Sequence, residues 1–111
     1  MQVQLTDEVL RKVQKATRYT GGEWNSIIKN RNDVKATFAF CFPDVYDIGM
    51  SHLGLRILYD VLNKNNDIYC ERVFAPWTDM EDVMREKNIP LFSLETKTPI
   101  SEFDVVGFTL Q

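Results

Sequence analysis

The 111-residue sequence contains one histidine, His52, and two cysteines, Cys41 and Cys70. Two thiols exclude an iron–sulfur cluster held by this segment alone, because such clusters need three or four. A single imidazole leaves a zinc site without its usual ligands. Basic charge is also short: 13 Lys and Arg stand against 16 Asp and Glu, for a net charge of −3. That argues against a nucleic-acid surface, which shows clustered excess Lys and Arg. The basic group Arg11, Lys12, Lys15 and Arg18 comes after Asp7 and Glu8 and reads as a solvated helix face. No apolar run approaches the ~20 residues of a membrane span. The opening MQVQLTDEVL lacks the layout of a signal peptide. Both cysteines fall in apolar, strand-like runs and are expected to be buried reduced thiols, which fits a cytoplasmic protein. Also missing are G-x-G-x-x-G, a Walker loop and G-x-S-x-G, and with them the usual dinucleotide, P-loop and serine-hydrolase sites. No repeat or low-complexity segment is present.

What is there is an ordinary globular composition, 44% hydrophobic and 26% charged, sufficient for one core. Thr6 reads as an N-cap, with Val9, Leu10, Val13 and Ala16 at helical spacing, so a helix of about three turns should end near Thr17. A Gly- and Asn-containing connector comes next, with a short extended piece at Trp24 to Ile28. Residues 1–33 are read as an N-terminal helix and connector, and residues 34–111 as an α/β domain. Lys35 to Phe42 is a near-continuously apolar strand of the kind covered on both faces, ended by Pro43. Ser51 is expected to cap a helix whose apolar stripe is Leu55, Leu58 and Leu62, with Ile57 and Val61 beside them. Asn63 to Asn66 should stop it. A second strand, Ile68 to Phe74, leads to a helix opened by the capping-box spacing of Thr78 and Glu81 and ended by Asn88 and Pro90. Leu91 to Leu94 reads as a short strand, Thr96 to Glu102 as polar loop, and Phe103 to Leu110 as a third long, buried strand.

Strands alternating with helices of about 11 residues signify βαβ units and a parallel sheet. The fold class is therefore α/β, Rossmann-like of the flavodoxin type, three-layered and mostly parallel. A doubly wound sheet usually has more strands, so the domain reads as truncated after the third long strand, with that strand left poorly covered.

In open α/β sheets ligands bind at the carboxyl ends of the strands. The loop there offers Asp44, Tyr46, Asp47, Gly49, Met50, Ser51 and His52. Gly49 suits a tight turn or close approach of a ligand, and Ser51 with the helix N-terminus behind it suits an anion. The competing reading is a turn and a cap with nothing bound. Arg72, Phe74, Pro76 and Trp77, at the end of the second strand, are expected to adjoin this loop, with Trp77 packed beneath it.

The runs FPDVYDIGMSHLGLRILYDVLN, CERVFAPWTDMEDVMRE, IPLFSLET and FDVVGFTLQ resemble the N-terminal region of a group of bacterial radical SAM proteins, a cobalamin-binding-like domain ahead of the radical SAM barrel. Cobalamin domains with a histidine lower ligand carry D-x-H-x-x-G after the first strand, and here the residues are Asp44-x-Tyr46-x-x-Gly49. The resemblance implies cobalamin bound without a protein lower ligand, or a degenerate site that positions substrate or barrel. Asp44, Tyr46, Gly49, Met50 and Ser51 would be its binding residues. The cluster-binding C-x-x-x-C-x-x-C motif is absent from these residues. The iron–sulfur cluster and S-adenosylmethionine would thus belong to the downstream barrel, the expected partner, and this segment carries no catalytic residue or metal ligand of its own. The rival readings are a scaffold that docks a partner protein and a response-regulator-like receiver, the latter short of its acidic pair and lysine. An open sheet edge also invites self-association.

Overall fold

The run ATFAFCF becomes the central strand because its residues are apolar on both faces, and a strand flanked on both sides is the one that must be buried twice. The computed structural model describes residues 2–13, 17–22, 26–50 and 52–109. Its helices are α1 (Asp7–Arg11), α2 (Thr17–Thr20), α3 (Tyr46–Gly49), α4 (Leu53–Lys64) and α5 (Thr78–Lys87). Its strands are β1 (Ala36–Phe42), β2 (Ile68–Phe74) and β3 (Val105–Phe108). The sheet runs β2-β1-β3 and every pairing is parallel, as expected of a Rossmann-like α/β fold. Phe38 lies opposite Cys70 on one side and Val105 on the other.

Side-chain alternation along β1 and β2 divides the core in two. Phe40, Phe42 and Cys70 face α4 and pack with Leu55 and Tyr59. Ala39, Cys41 and Val73 face the other way, where the β2-to-β3 connection covers them with Leu91, Ile100 and Phe103. The two cysteines therefore point to opposite faces, both free and buried. Burial pushes the Cys41 thiol up to about 11 and the Cys70 thiol up to about 12. A third cluster joins Val9, Val13 and Tyr19 of the N-terminal segment to Met80, Val83 and Met84 of α5, so residues before β1 share a core with the α/β domain. Among the described residues no helix is long and apolar enough to cross a membrane.

The outer edge of β2 is closed by side chains. Asn63, at the end of α4, is buried; its Oδ1 accepts from the Cys70 N–H at 2.9 Å and its Nδ2 donates to the Cys70 carbonyl at 3.0 Å. It thus replaces one residue of a missing strand. Lys29 Nζ donates to the carbonyls of Asn63, Asn65 and Ile68 and holds the α4–β2 turn. At the opposite edge, Asp104 and Thr37 exchange hydrogen bonds that start β3 in register: Asp104 Oδ2 accepts from the Thr37 N–H at 2.8 Å, and the Asp104 N–H donates to Thr37 Oγ1 at 3.1 Å.

Several expectations need correction. The first helix stops at Arg11, with Val13 buried against α5; residues 14–16 lie outside the described residues, as do 23–25, which hold Trp24. Ser51 lies outside them too, and the cap of α4 is His52, whose Nδ1 accepts from the Leu55 N–H at 3.0 Å. The T-x-x-E box does not form, because Trp77 occupies the cap position and Thr78 is already helical. Leu91 to Leu94 makes only an isolated antiparallel bridge, Phe92 with Pro99, since residues 93–98 fold back at once. The third strand is four residues long and half exposed, and Leu110, its expected end, lies outside the described residues. Val105, Val106 and Phe108 all meet solvent, because no described element covers them. On α4 only part of the apolar set is buried. Leu55 and Tyr59 face the sheet, while Ile57, Leu58 and Val61 stand outside, because the helix packs over β2 rather than over the sheet centre.

Asn63→Ala leaves a buried N–H and carbonyl without partners and should lower stability by about 2–4 kcal/mol in urea denaturation. Cys41 and Cys70 should resist a thiol reagent at pH 8 in the native protein and react at the rate of global unfolding; rapid native labelling of either would contradict their burial.

Candidate functional site at the carboxyl end of the sheet

The order β2-β1-β3 sets the carboxyl ends of β1 and β3 side by side, with the chain from β1 turning toward β2. Ligand crevices in open α/β sheets form outside the carboxyl ends of the strands. The loop after β1 occupies this end, and the structure shows what its side chains touch.

Asp44 turns the chain. Its Oδ1 accepts from the Val45 N–H at 2.8 Å, and its carbonyl accepts from the Ala75 N–H at 2.9 Å, tying the loop to the end of β2. Tyr46 opens α3 and meets the Phe74 ring edge-on, 5.8 Å between centroids. Gly49 is buried, and a Cβ there would lie 2.1 Å from Phe74 Cε1. Its lack of a side chain is required by the phenyl ring of β2. Met50 directs its sulfur to Arg72, whose Nη1 donates at 3.4 Å. His52 caps α4 and packs on Phe42, 5.0 Å between ring centroids. The structure thus brings Tyr46, Gly49 and Met50 together against β2, and the expected contact of β2 with the first loop is present. Trp77 does not pack beneath the loop: it is half exposed, its ring 5.7 Å from the Arg18 guanidinium. Arg18 in turn donates to Asp47 Oδ2 from Nε and Nη2 at 3.2 and 3.0 Å, so this residue of the basic run braces α3 rather than facing solvent.

Beneath the loop lies a buried ionic network that sequence reasoning missed. The Arg72 side chain is 2% exposed and that of Glu95 0%. Glu95 Oε2 accepts from Arg72 Nε at 2.8 Å while Oε1 accepts from the Arg72 backbone N–H at 2.9 Å, and the Leu94 N–H donates to the Arg72 carbonyl at 2.8 Å. The guanidinium also stacks on Tyr59 at 4.3 Å and donates to Ser26 Oγ at 3.1 Å. Burial raises the Glu95 carboxyl above the usual carboxylate range, against the pull of Arg72. On the opposite face, buried Glu71 receives Ser93 Oγ at 2.8 Å, the Thr96 N–H at 3.1 Å and hydroxyl at 2.6 Å, and Arg31 Nη1 at 3.0 Å. The available signal was a Glu-Arg pair inside an otherwise apolar strand, matched by the lone Glu of SLET.

Next to Tyr46 a small apolar cleft of about 20 Å³ lies between Arg18, Tyr19, Phe74, Met84 and Leu94. That is room for about one water molecule, and a corrinoid is far larger. The motif side chains do not fit a corrinoid either: Tyr46 is turned onto Phe74, the space beside Gly49 is filled, and the one imidazole is engaged as a cap. Among the described residues no three His, Cys, Asp or Glu side chains group as a metal site.

Gly49→Ala should cost about 1–3 kcal/mol by driving its methyl into Phe74. Combined with Phe74→Leu the two losses should be less than additive, which a double-mutant cycle in urea measures. Glu95→Ala, which leaves Arg72 buried and uncompensated, should cost about 3–5 kcal/mol.

Comparison with curated proteins and with solved structures returned no match. A family model described as radical SAM proteins, N-terminal, matches residues 54–111, from the first turn of α4 through β3, which is more than half of the sequence. The match covers the Glu71–Arg72 and Glu95 network and leaves out the Asp44-x-Tyr46-x-x-Gly49 loop. The chain therefore belongs to the family of N-terminal domains of radical SAM proteins.

Proposed function

We propose that the chain is a non-catalytic accessory domain of a larger radical SAM protein, acting in the cytoplasm, and that it positions the downstream barrel rather than binding a cofactor. One observation carries this reading: the loop at the carboxyl end of β1 is filled by its own side chains, with Tyr46 and Gly49 against Phe74 and Met50 on Arg72. The docking surface is the β3 side of the sheet. There Val106 and Phe108 are exposed, and β3 has no strand on its outer edge among the described residues. Continuous apolar character on both faces of β3 is what a strand covered in the whole protein requires.

A second reading rests on the adjacent carboxyl ends of β1 and β3, the edge at which open α/β sheets bind ligands. Cobalamin would be held there without a protein lower ligand, beyond the side chains of the loop. In that case the protein's part is to shield and orient the cofactor, which would itself supply alkyl-transfer or radical chemistry.

Two measurements separate the readings. The chain mixed with the separately expressed barrel of its parent should form a complex, and Val106→Asp or Phe108→Asp should weaken it by about tenfold or more, the usual cost of a charge in an apolar contact. Cobalamin titrated into the chain, with and without the barrel, should leave the absorbance spectrum unchanged. A saturable change abolished by Gly49→Trp, in a variant that still folds by circular dichroism, would replace the scaffold reading with the cofactor one.

A further inference from the structure

The exposed side of α4 carries an apolar ridge that the fold does not use. Leu53, Ile57 and Val61 recur at four-residue spacing and are 67%, 52% and 55% exposed, with Leu58 adjoining them at 47%. Residues at i, i+4 and i+8 line up as one ridge on a helix surface, the element that interdigitates when two helices pack. An apolar row of this length on the outside of a helix needs an explanation, because isolated exposed residues are common and contiguous ones are not.

The charges beside the ridge indicate what covers it. Arg56, Asp60 and Lys64 are exposed on the same side of α4, and none of them has an ion-pair partner among the described residues. The Arg56–Asp60 spacing does not close within the helix. The basic residue stands N-terminal to the acidic one, which is the weaker order for a four-residue pair. Both charges are thus presented outward. Placed against an identical helix running antiparallel about a two-fold axis near Leu58 and Tyr59, the ridge meets itself. Ile57 of one copy then lies beside Val61 of the other. The same operation leaves Arg56 about 3 Å along the helix from Asp60 of the second copy, within reach of its long side chain, and by symmetry this pair occurs twice. A two-fold contact needs a surface complementary to itself, and this face has that property in both its apolar and its charged residues.

We infer that α4 is a self-association face, through which two copies of the chain pair antiparallel, with Ile57, Leu58 and Val61 at the centre and reciprocal Arg56–Asp60 pairs at the rim. The contact is separate from the β3 side of the sheet and does not depend on the accessory-domain reading.

The test is sedimentation equilibrium of the whole chain and its surface variants, each checked for native circular dichroism. The wild type should pass from monomer to dimer as concentration rises through the micromolar range, and Ile57→Glu should abolish the transition. Arg56→Glu and Asp60→Arg should each weaken self-association by about fivefold, the effect of two rim ion pairs. An equimolar mixture of these two variants should regain the wild-type affinity, because the mixed dimer restores opposite charges at both rim positions. A wild-type chain that stays monomeric overturns the inference, as does a dimer unaffected by Ile57→Glu. A mixture no tighter than its components overturns the antiparallel register. A dimer lost in Phe108→Asp but kept in Ile57→Glu would move the contact to the sheet edge and reject the α4 face.

Discussion

The unpaired edge of β2 is the constraint around which the rest of the structure is arranged. A three-stranded parallel sheet has two edges, each with a row of backbone groups that require partners or water. β2 lies under α4 and under the chain that returns toward β3, so water cannot serve its outer edge. Glu95 resolves half of this problem with a single carboxylate, one oxygen on the Arg72 N–H and the other on the Arg72 guanidinium. Asn63 resolves the other half with a side-chain amide that pairs with Cys70 as a neighbouring strand would. Residues from two distant segments thus stand in for a fourth strand.

The cost of burying the Arg72–Glu95 pair explains the company it keeps. A buried ion pair is tolerated when its remaining hydrogen-bonding capacity is filled and its charge has polarizable neighbours. Arg72 has the Tyr59 ring, the Met50 sulfur and the Ser26 hydroxyl around it. Through Met50 the network reaches the loop after β1, and through Ser26 it reaches the connector before that strand. The conformation of the loop after β1 is therefore set from below. Tyr46 and Gly49 in turn close on Phe74 at the end of that same strand.

The fold was largely legible in the sequence. The apolar run of β1, the IYCERVF strand, and the helical spacing between them define a parallel sheet, since period and length act locally. The candidate loop was legible as a location and much less so as a role. Asp44, Tyr46, Gly49 and Met50 all lie at the carboxyl end as expected, but what a glycine is for depends on which ring faces it, and Phe74 is 25 positions away in the chain. Arg18 read as one more solvated cation, because nothing near it in sequence announces Asp47 or Trp77. His52 took the cap position expected of Ser51, and its imidazole accepts the Leu55 N–H while packed on Phe42, ten positions back in the chain.

The sequence by itself determined the order of the long elements β1, α4, β2, α5 and β3 and the parallel class of the sheet, because these come from periodicity and turn residues. It also carried the resemblance to radical SAM N-terminal domains that the family match bears out. Tertiary structure alone decided that charged Glu71, Arg72 and Glu95 lie in the interior, that half of the α4 stripe faces outward, and that the β3 apolar run remains uncovered. The physical reason is the same in each case. Burial is a property of what packs on a residue, and those partners are brought there by segments far away along the chain.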